Sequence, residues 1–185
     1  MLVDGQPGVM VSASDRGLNY GDGLFETMRL HAGAVPLLAR HLGRLCAGCA
    51  RLGLPYPGDK MLVADIARLA AAGAAEGVVR LVLTRGDGGR GYAPSPGAPG
   101  RRIAALHPLP PPGPAAMSLG ICATRLGHSA ALGGLKHLGR LEQVLAAGEV
   151  AAAGWDEGLM LDESTCVVEA TRHNVFFVRD GRVLT

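Results

Sequence analysis

Three charged residues stand where their types could do chemistry. Lys136 opens the run K-H-L-G-R-L-E-Q-V-L (136–145), directly after Gly133-Gly134-Leu135. The chain writes almost every basic residue as arginine, and only Lys60 and Lys136 are lysines. Lysine can lose its proton when desolvated, attack a carbonyl and form a Schiff base, which arginine cannot. An ordinary lysine in the first turn of a helix fits the same local pattern. Arg44 lies in R-H-L-G-R-L (40–45) on a helical repeat, where a guanidinium could hold a phosphate through a pair of parallel hydrogen bonds. Glu169 sits in V-V-E-A-T-R-H-N-V-F-F (167–177), and a carboxylate among apolar strand residues needs a partner.

An amine, a cation for a phosphate and an anion for a protonated ring nitrogen are what pyridoxal 5'-phosphate asks of a protein. Its protonated pyridine ring then acts as an electron sink. No comparable pattern points to a metal. The cysteines Cys46 and Cys49 form C-A-G-C within a helical repeat, with no second pair at zinc-site spacing, and Cys122 and Cys166 stand alone. All four read as buried, reduced thiols.

The elements that must position these residues follow from periodicity. Met1–Val3 and Val9–Val11 flank Asp4-Gly5 as a hairpin, and 14–23 reads as turn. Leu24–His31 alternates as a strand, with Phe25, Thr27 and Arg29 on one face and Glu26, Met28 and Leu30 on the other. A turn at Ala32-Gly33 leads into Val35–Leu38 as a second hairpin. Leu38, Leu42, Leu45, Cys49 and Leu52 predict a helix over 38–52 that ends at Gly53. A second helix, capped by Asp59, runs to about Ala72 and stops at Gly73. Val78–Thr84 and Arg102–His107 are strands around a glycine-rich loop.

The segment P-L-P-P-P-G-P (108–114) cannot join a sheet ladder and marks a boundary. The division is an amino-terminal α+β domain (1–107), a proline-rich linker (108–116) and a carboxyl-terminal domain (117–185). In the latter, Met117–Thr124 is a strand, and a helix runs from Lys136 to about Ala153 with Leu138, Leu141, Val144, Leu145 and Ala152 as its apolar stripe. Strands follow at Gly158–Leu161, Cys166–Ala170, Asn174–Val178 and Arg182–Leu184, the last two joined by Asp180-Gly181. The second domain then ends with exposed strand edges, so the chain reads as incomplete.

A net charge of +2 and scattered arginines argue against a nucleic-acid partner. No stretch of about 18 apolar residues predicts a membrane span, and no secretory signal is evident, which points to the cytoplasm.

Five segments in order carry a family resemblance: S-D-R-G-L-N-Y-G-D-G-L-F-E-T (14–27), H-L-G-R-L (41–45), T-R-G-D-G-G-R-G-Y (84–92), G-L-K-H-L-G-R-L-E-Q-V-L-A (134–146) and E-A-T-R-H-N-V-F (169–176). The chain resembles the aminodeoxychorismate lyases, in the D-amino-acid-aminotransferase-like group of pyridoxal phosphate enzymes (fold type IV). G-G-R-G-Y and K-H-L-x-R-L-E-Q-V-L favour the lyases over the transaminases, although Gly139 stands where lyases often carry Asn.

The resemblance implies a two-domain fold type IV enzyme with a small amino-terminal domain and a larger carboxyl-terminal domain, here truncated. Lys136 is implied as the catalytic Schiff-base lysine, Arg44 as the phosphate contact and Glu169 as the partner of the ring nitrogen. Asn174 is implied to support the loop after Glu169. Phe25, Thr27, Arg90 and Tyr92 are candidates for the substrate side. His41, His137, Asp15, Arg16, Asn19 and Asp22 read as structural. The implied reaction removes pyruvate from 4-amino-4-deoxychorismate and leaves 4-aminobenzoate, a step of folate biosynthesis, in a homodimer acting on a small-molecule substrate. A fold type IV aminotransferase for D-amino or branched-chain amino acids, or an inactive fragment that retains cofactor weakly, is the alternative.

Overall fold

Strict alternation along β3 (Gly23–Leu30) sends Leu24, Glu26, Met28 and Leu30 to one side, where all four are buried, and leaves Thr27 and Arg29 exposed. The computed structural model describes residues 1–72 and 75–185. It divides into two compact units, Met1–Pro110 with Gly134–Gly139, and Pro111–Gly133 with Arg140–Thr185.

The first unit is an antiparallel sheet in the order β2 (Gln6–Pro7), β1 (Leu2–Val3), β5 (Arg101–His107), β4 (Gly77–Thr84), β3. Helices α2 (Leu38–Leu52) and α3 (Asp59–Ala71) cover one face. Their Leu42, Leu45, Cys49, Leu62, Ile66 and Leu69 form one core with Leu24, Met28, Leu30, Val79, Leu81 and Leu83 of the strands. Each such side chain contributes about 1.5–3 kcal/mol by leaving water. Helix α2 ends as the sequence predicts, with Gly53 left-handed at φ 61°. Arg85 reinforces that end by donating from Nη1 and Nη2 to the carbonyls of Gly53 and Leu52.

Several expectations change. The second strand of the first hairpin is Gln6–Pro7, while Val9, Met10 and Val11 are exposed without regular structure. The 14–23 stretch holds a short helix, α1 (Arg16–Tyr20), because the Asp15 carboxylate accepts from the amides of Gly17 and Leu18 as its N-cap. Only His31 and Ala34 bridge after β3, so Val35–Leu38 is no strand, and Leu38 already starts α2. Asp59 is the first residue of α3 rather than its cap; Gly58 holds that position and Asp59 accepts from the Tyr56 hydroxyl. The expected stop at Gly73 lies outside the described residues.

The second unit has a three-stranded sheet, β6 (Leu119–Leu126), β7 (Glu157–Asp162) and β8 (Val167–Ala170), with β6 and β7 parallel. Helix α4 (Leu141–Ala153) packs on it through Ala146 and Val150 against Cys122, Leu126 and Met160. Gly120 of β6 lies under the Trp155 indole, and a Cβ there would enter the ring. The hairpin β9 (Phe177–Arg179) and β10 (Arg182–Leu184) turns on Asp180 and Gly181, both at positive φ, as a tight two-residue turn requires.

Two expectations about α4 fail. Lys136 is not helical, because α4 begins at Leu141. The proposed stripe is also not the packed one: Leu141, Val144 and Leu145 are exposed, and α4 buries small Ala146 instead. Likewise β6 starts at Leu119 rather than Met117, and Asn174 precedes β9 instead of lying in it. Of the cysteines, Cys49 and Cys122 are buried, whereas Cys46 and Cys166 are exposed.

Candidate active site

The glycine turn before Lys136 delivers an extended segment to the outer edge of β3. The Phe25 amide donates to the Lys136 carbonyl at 2.9 Å, and the Leu138 amide donates to the Gly23 carbonyl at 3.0 Å. Leu24 and His137 thereby form an antiparallel bridge. Lys136 is thus placed by sheet pairing rather than by a helix. Its Nζ stands 4.6 Å from the centroid of the Phe25 ring, a cation–π distance. The Arg80 guanidinium from β4 lies 4.5 Å from the same centroid, and burial pushes its pKa down.

Arg44 stands on α2 beside this segment, and both line a small cavity of about 20 Å³ with Leu24, Phe25, Glu26 and Leu135. Its parallel pair of bonds goes to protein: Nε donates to Glu26 Oε1 at 2.5 Å and Nη2 to Oε2 at 2.6 Å. The bond to Glu26 holds the guanidinium still more firmly protonated, against the opposing effect of burial. His41, one turn earlier, meets Oε2 of the same carboxylate through Nδ1 at 2.8 Å. Glu26 is 1% exposed. Sequence reading missed it as a functional residue, although a carboxylate on the core face of an alternating strand was the available signal. The Nε–Nη2 side of the guanidinium is therefore occupied by Glu26. Arg44 keeps Nη1, which takes no hydrogen bond among the described residues.

The remaining candidates of the first unit are spread along one sheet and its loops. Thr27 lies exposed opposite Arg80 in the β3–β4 register. Tyr92 is exposed, with its ring edge-on to Tyr20 at 5.5 Å and its carbonyl accepting from Arg16. Arg90 is exposed in the same loop. Arg16, Asp22 and Arg85 tie the loop bases together: Asp22 accepts from Arg16 Nε at 2.9 Å and from Arg85 Nε at 2.7 Å. Burial raises the Asp22 pKa, but the two guanidinium partners outweigh it and hold the carboxyl below its usual range.

Glu169 belongs to the second unit, on β8. Its Oε1 accepts from Gln143 Nε2 of α4 at 2.8 Å, and Arg140 Nη1 lies 3.7 Å away. Its Oε2 takes no hydrogen bond among the described residues. The α4 region therefore supplies partners that the sequence pattern did not reveal. The loop after β8 hangs on Glu157, another residue the sequence reading left out. This buried carboxylate accepts from the Gly158 amide at 2.9 Å, the Thr171 hydroxyl and His173 Nδ1. Burial pushes its pKa up, and these donors more than reverse the effect. Asn174 follows this anchored stretch in an exposed position.

Taken one at a time, these donors are of the kinds that pyridoxal 5'-phosphate requires. Lys136 offers an amine against an aromatic face, Arg44 a protonated guanidinium with one spare nitrogen, and Glu169 a carboxylate with one spare oxygen.

Residues 23–185 match the family described as amino-transferase class IV. The chain belongs to that family. Class IV relatives include an aminodeoxychorismate lyase from Vibrio harveyi, 35% identical over 188 residues that cover 99% of this chain and 69% of the relative. The crystal structure of a 4-amino-4-deoxychorismate lyase from Pseudomonas aeruginosa superposes with a TM-score of 0.90 at 46% identity, covering 98% of this chain and 68% of that one. A bifunctional aminodeoxychorismate lyase and D-amino acid transaminase from Mycobacterium tuberculosis is 35% identical over 95 residues, covering 49% of this chain and 32% of the relative. The class IV fold type is thus the one the sequence resemblance implied, and such enzymes are pyridoxal phosphate-dependent in general. Among the described residues no helix is long and apolar enough to cross a membrane.

Proposed function

We propose that this chain eliminates pyruvate from 4-amino-4-deoxychorismate and releases 4-aminobenzoate, with pyridoxal 5'-phosphate as cofactor. The observation that carries the reading is the 46% identity to the Pseudomonas aeruginosa lyase across 98% of the chain, together with Lys136 on the edge of β3.

Bound cofactor supplies an electron sink that delocalises the charge left when the substrate loses a proton. Lys136 would hold the cofactor's aldehyde carbon through Nζ, and its free amine would serve as general base at the substrate carbon bearing nitrogen. Its backbone pairing with Phe25 limits where Nζ can reach, which is the orientation such a proton transfer needs. Arg44 would donate to the phosphate, and Glu169 would pair with the ring nitrogen and keep it protonated. Aromatisation of the product ring supplies driving force, so the protein mainly orients the bond that breaks and moves one proton. Asn174 supports the Glu169 side, and Thr27, Arg90 and Tyr92 serve the substrate side. The same reading places a homodimer in the cytoplasm, with neither nucleic acid nor membrane as partner.

A transaminase reading draws support from the bifunctional Mycobacterium tuberculosis relative. One assay separates the two. Protein loaded with pyridoxal phosphate is given 4-amino-4-deoxychorismate, and pyruvate is followed by a coupled reaction. Release of pyruvate that Lys136→Ala abolishes supports the lyase. Conversion of the cofactor to its pyridoxamine form by a single added amino acid, without pyruvate from 4-amino-4-deoxychorismate, would replace that reading with the transaminase.

A further inference from the structure

A buried carboxylate on the core face of β3 calls for a role, because removing its charge from water is costly unless partners compensate. Glu26 has two partners, both from α2. Arg44 gives it Nε and Nη2, and His41 meets it through Nδ1. The side chains at 41 and 44 are one helical turn apart, so a single carboxylate receives both. Two parallel bonds fix the guanidinium plane as well as its position. Three N–H groups of Arg44 then remain for another ligand, two on Nη1 and one on Nη2, and the Arg44 side chain is still 52% exposed.

We propose that Glu26 is a positioning residue for phosphate binding. It clamps Arg44 by the Nε–Nη2 side, so that Nη1 is presented to the cofactor phosphate in one orientation. An unclamped arginine would have to freeze several side-chain torsions on binding; a clamped one has already lost that freedom. The carboxylate also offsets the guanidinium charge, so Arg44 works through directed hydrogen bonding more than through net attraction. This inference rests on the reading of Arg44 as a phosphate contact.

Affinity for pyridoxal 5'-phosphate relative to pyridoxal, which lacks the phosphate, isolates that contact without any turnover. Both are titrated into cofactor-free protein and followed by absorbance. For the unaltered chain the phosphate compound binds more tightly, and Arg44→Ala removes most of that preference. Glu26→Gln keeps the side-chain volume and one acceptor oxygen, so it guards against a folding failure. It is expected to lower the preference about tenfold while leaving pyridoxal affinity within about twofold, as loss of a charge-assisted clamp implies. A Glu26→Gln chain that weakens both compounds equally would show a merely structural carboxylate and overturn the proposal. So would an increased preference, which would mean that the negative charge opposes phosphate. If Arg44→Ala itself leaves the preference intact, the reading of Arg44 fails, and the role of Glu26 with it.

Discussion

The Phe25 amide donates to the Lys136 carbonyl at 2.9 Å, while the Lys136 amine lies 4.6 Å from the Phe25 ring centroid. One residue of β3 therefore sets both the backbone and the side chain of the candidate Schiff-base lysine. Gly23 of the same strand is hemmed in on both sides, since a Cβ there would press into the Leu83 carbonyl of β4 and stand 2.7 Å from Leu138 Cδ1.

Gly23→Ala is accordingly expected to disturb both the β3–β4 pairing and the 136–138 segment. The visible absorbance of the lysine adduct with pyridoxal phosphate, discharged by borohydride, should need at least about tenfold more cofactor to reach half-saturation. Unfolding measured in parallel separates lost stability from lost placement. Unchanged cofactor saturation would mean that the β3 edge does not position the lysine.

Asp22 is the anion between Arg16 and Arg85, and its pKa is lowered in the folded protein. A depressed carboxyl contributes stability that is fully present above its unfolded value of about 4 and is lost as pH falls through the folded value. Asp22→Asn should therefore cost about 3 kcal/mol at pH 7, because it leaves two largely buried guanidiniums without their shared anion. The gap between the two proteins should narrow below about pH 4, as the carboxyl of the unaltered chain takes up its proton. Denaturant unfolding at both pH values tests this. A gap that widens in acid would contradict the sign.

Much of the fold was legible in the sequence where a single period ruled. Helix α2 repeats its apolar residues every three to four positions and ends at a glycine, and the predicted limits 38–52 are those of the structure. Lys136 was misplaced for a physical reason: K-H-L-G-R-L-E-Q continues the helical period of α4 backwards, but an open edge on β3 captures the backbone of 136–138 first. Pairing with a distant strand leaves no local mark in the sequence. The same holds for Glu26, whose partners lie on another element, and for Glu169, whose Gln143 and Arg140 come from the α4 region.

The cysteines provide a test of burial. Burial, and then the neighbouring Cys46, push the Cys49 thiol up to about 11, and burial also raises Cys122. Both thiols stay protonated at pH 8, and only the thiolate reacts readily. Ellman's reagent should label Cys46 and Cys166 quickly and the other two only on unfolding. Rapid labelling of Cys49 would show that α2 opens locally.

Gly120 offers a purely steric test in the second unit. Gly120→Ala places a methyl group within the Trp155 ring, so the parallel β6–β7 pair or the indole must move. Overpacking of this kind costs about 1–3 kcal/mol. The loss should appear in the fluorescence transition of Trp155, the chain's single tryptophan. A variant as stable as the original would mean that the indole has another resting place.

Gly134–Gly139 belongs to the first unit although residues 111–133 of the second precede it. During synthesis, the ribosome must therefore release the intervening stretch before β3 can receive its last neighbour. The first 110 residues hold α1, α2, α3 and all five strands of the order β2-β1-β5-β4-β3, but not the segment that pairs with the outer edge of β3. Open strand edges invite pairing between chains. The lysine segment thus also covers an edge of β3 that would otherwise stay open, and it can do so only after residues 111–133 have been made.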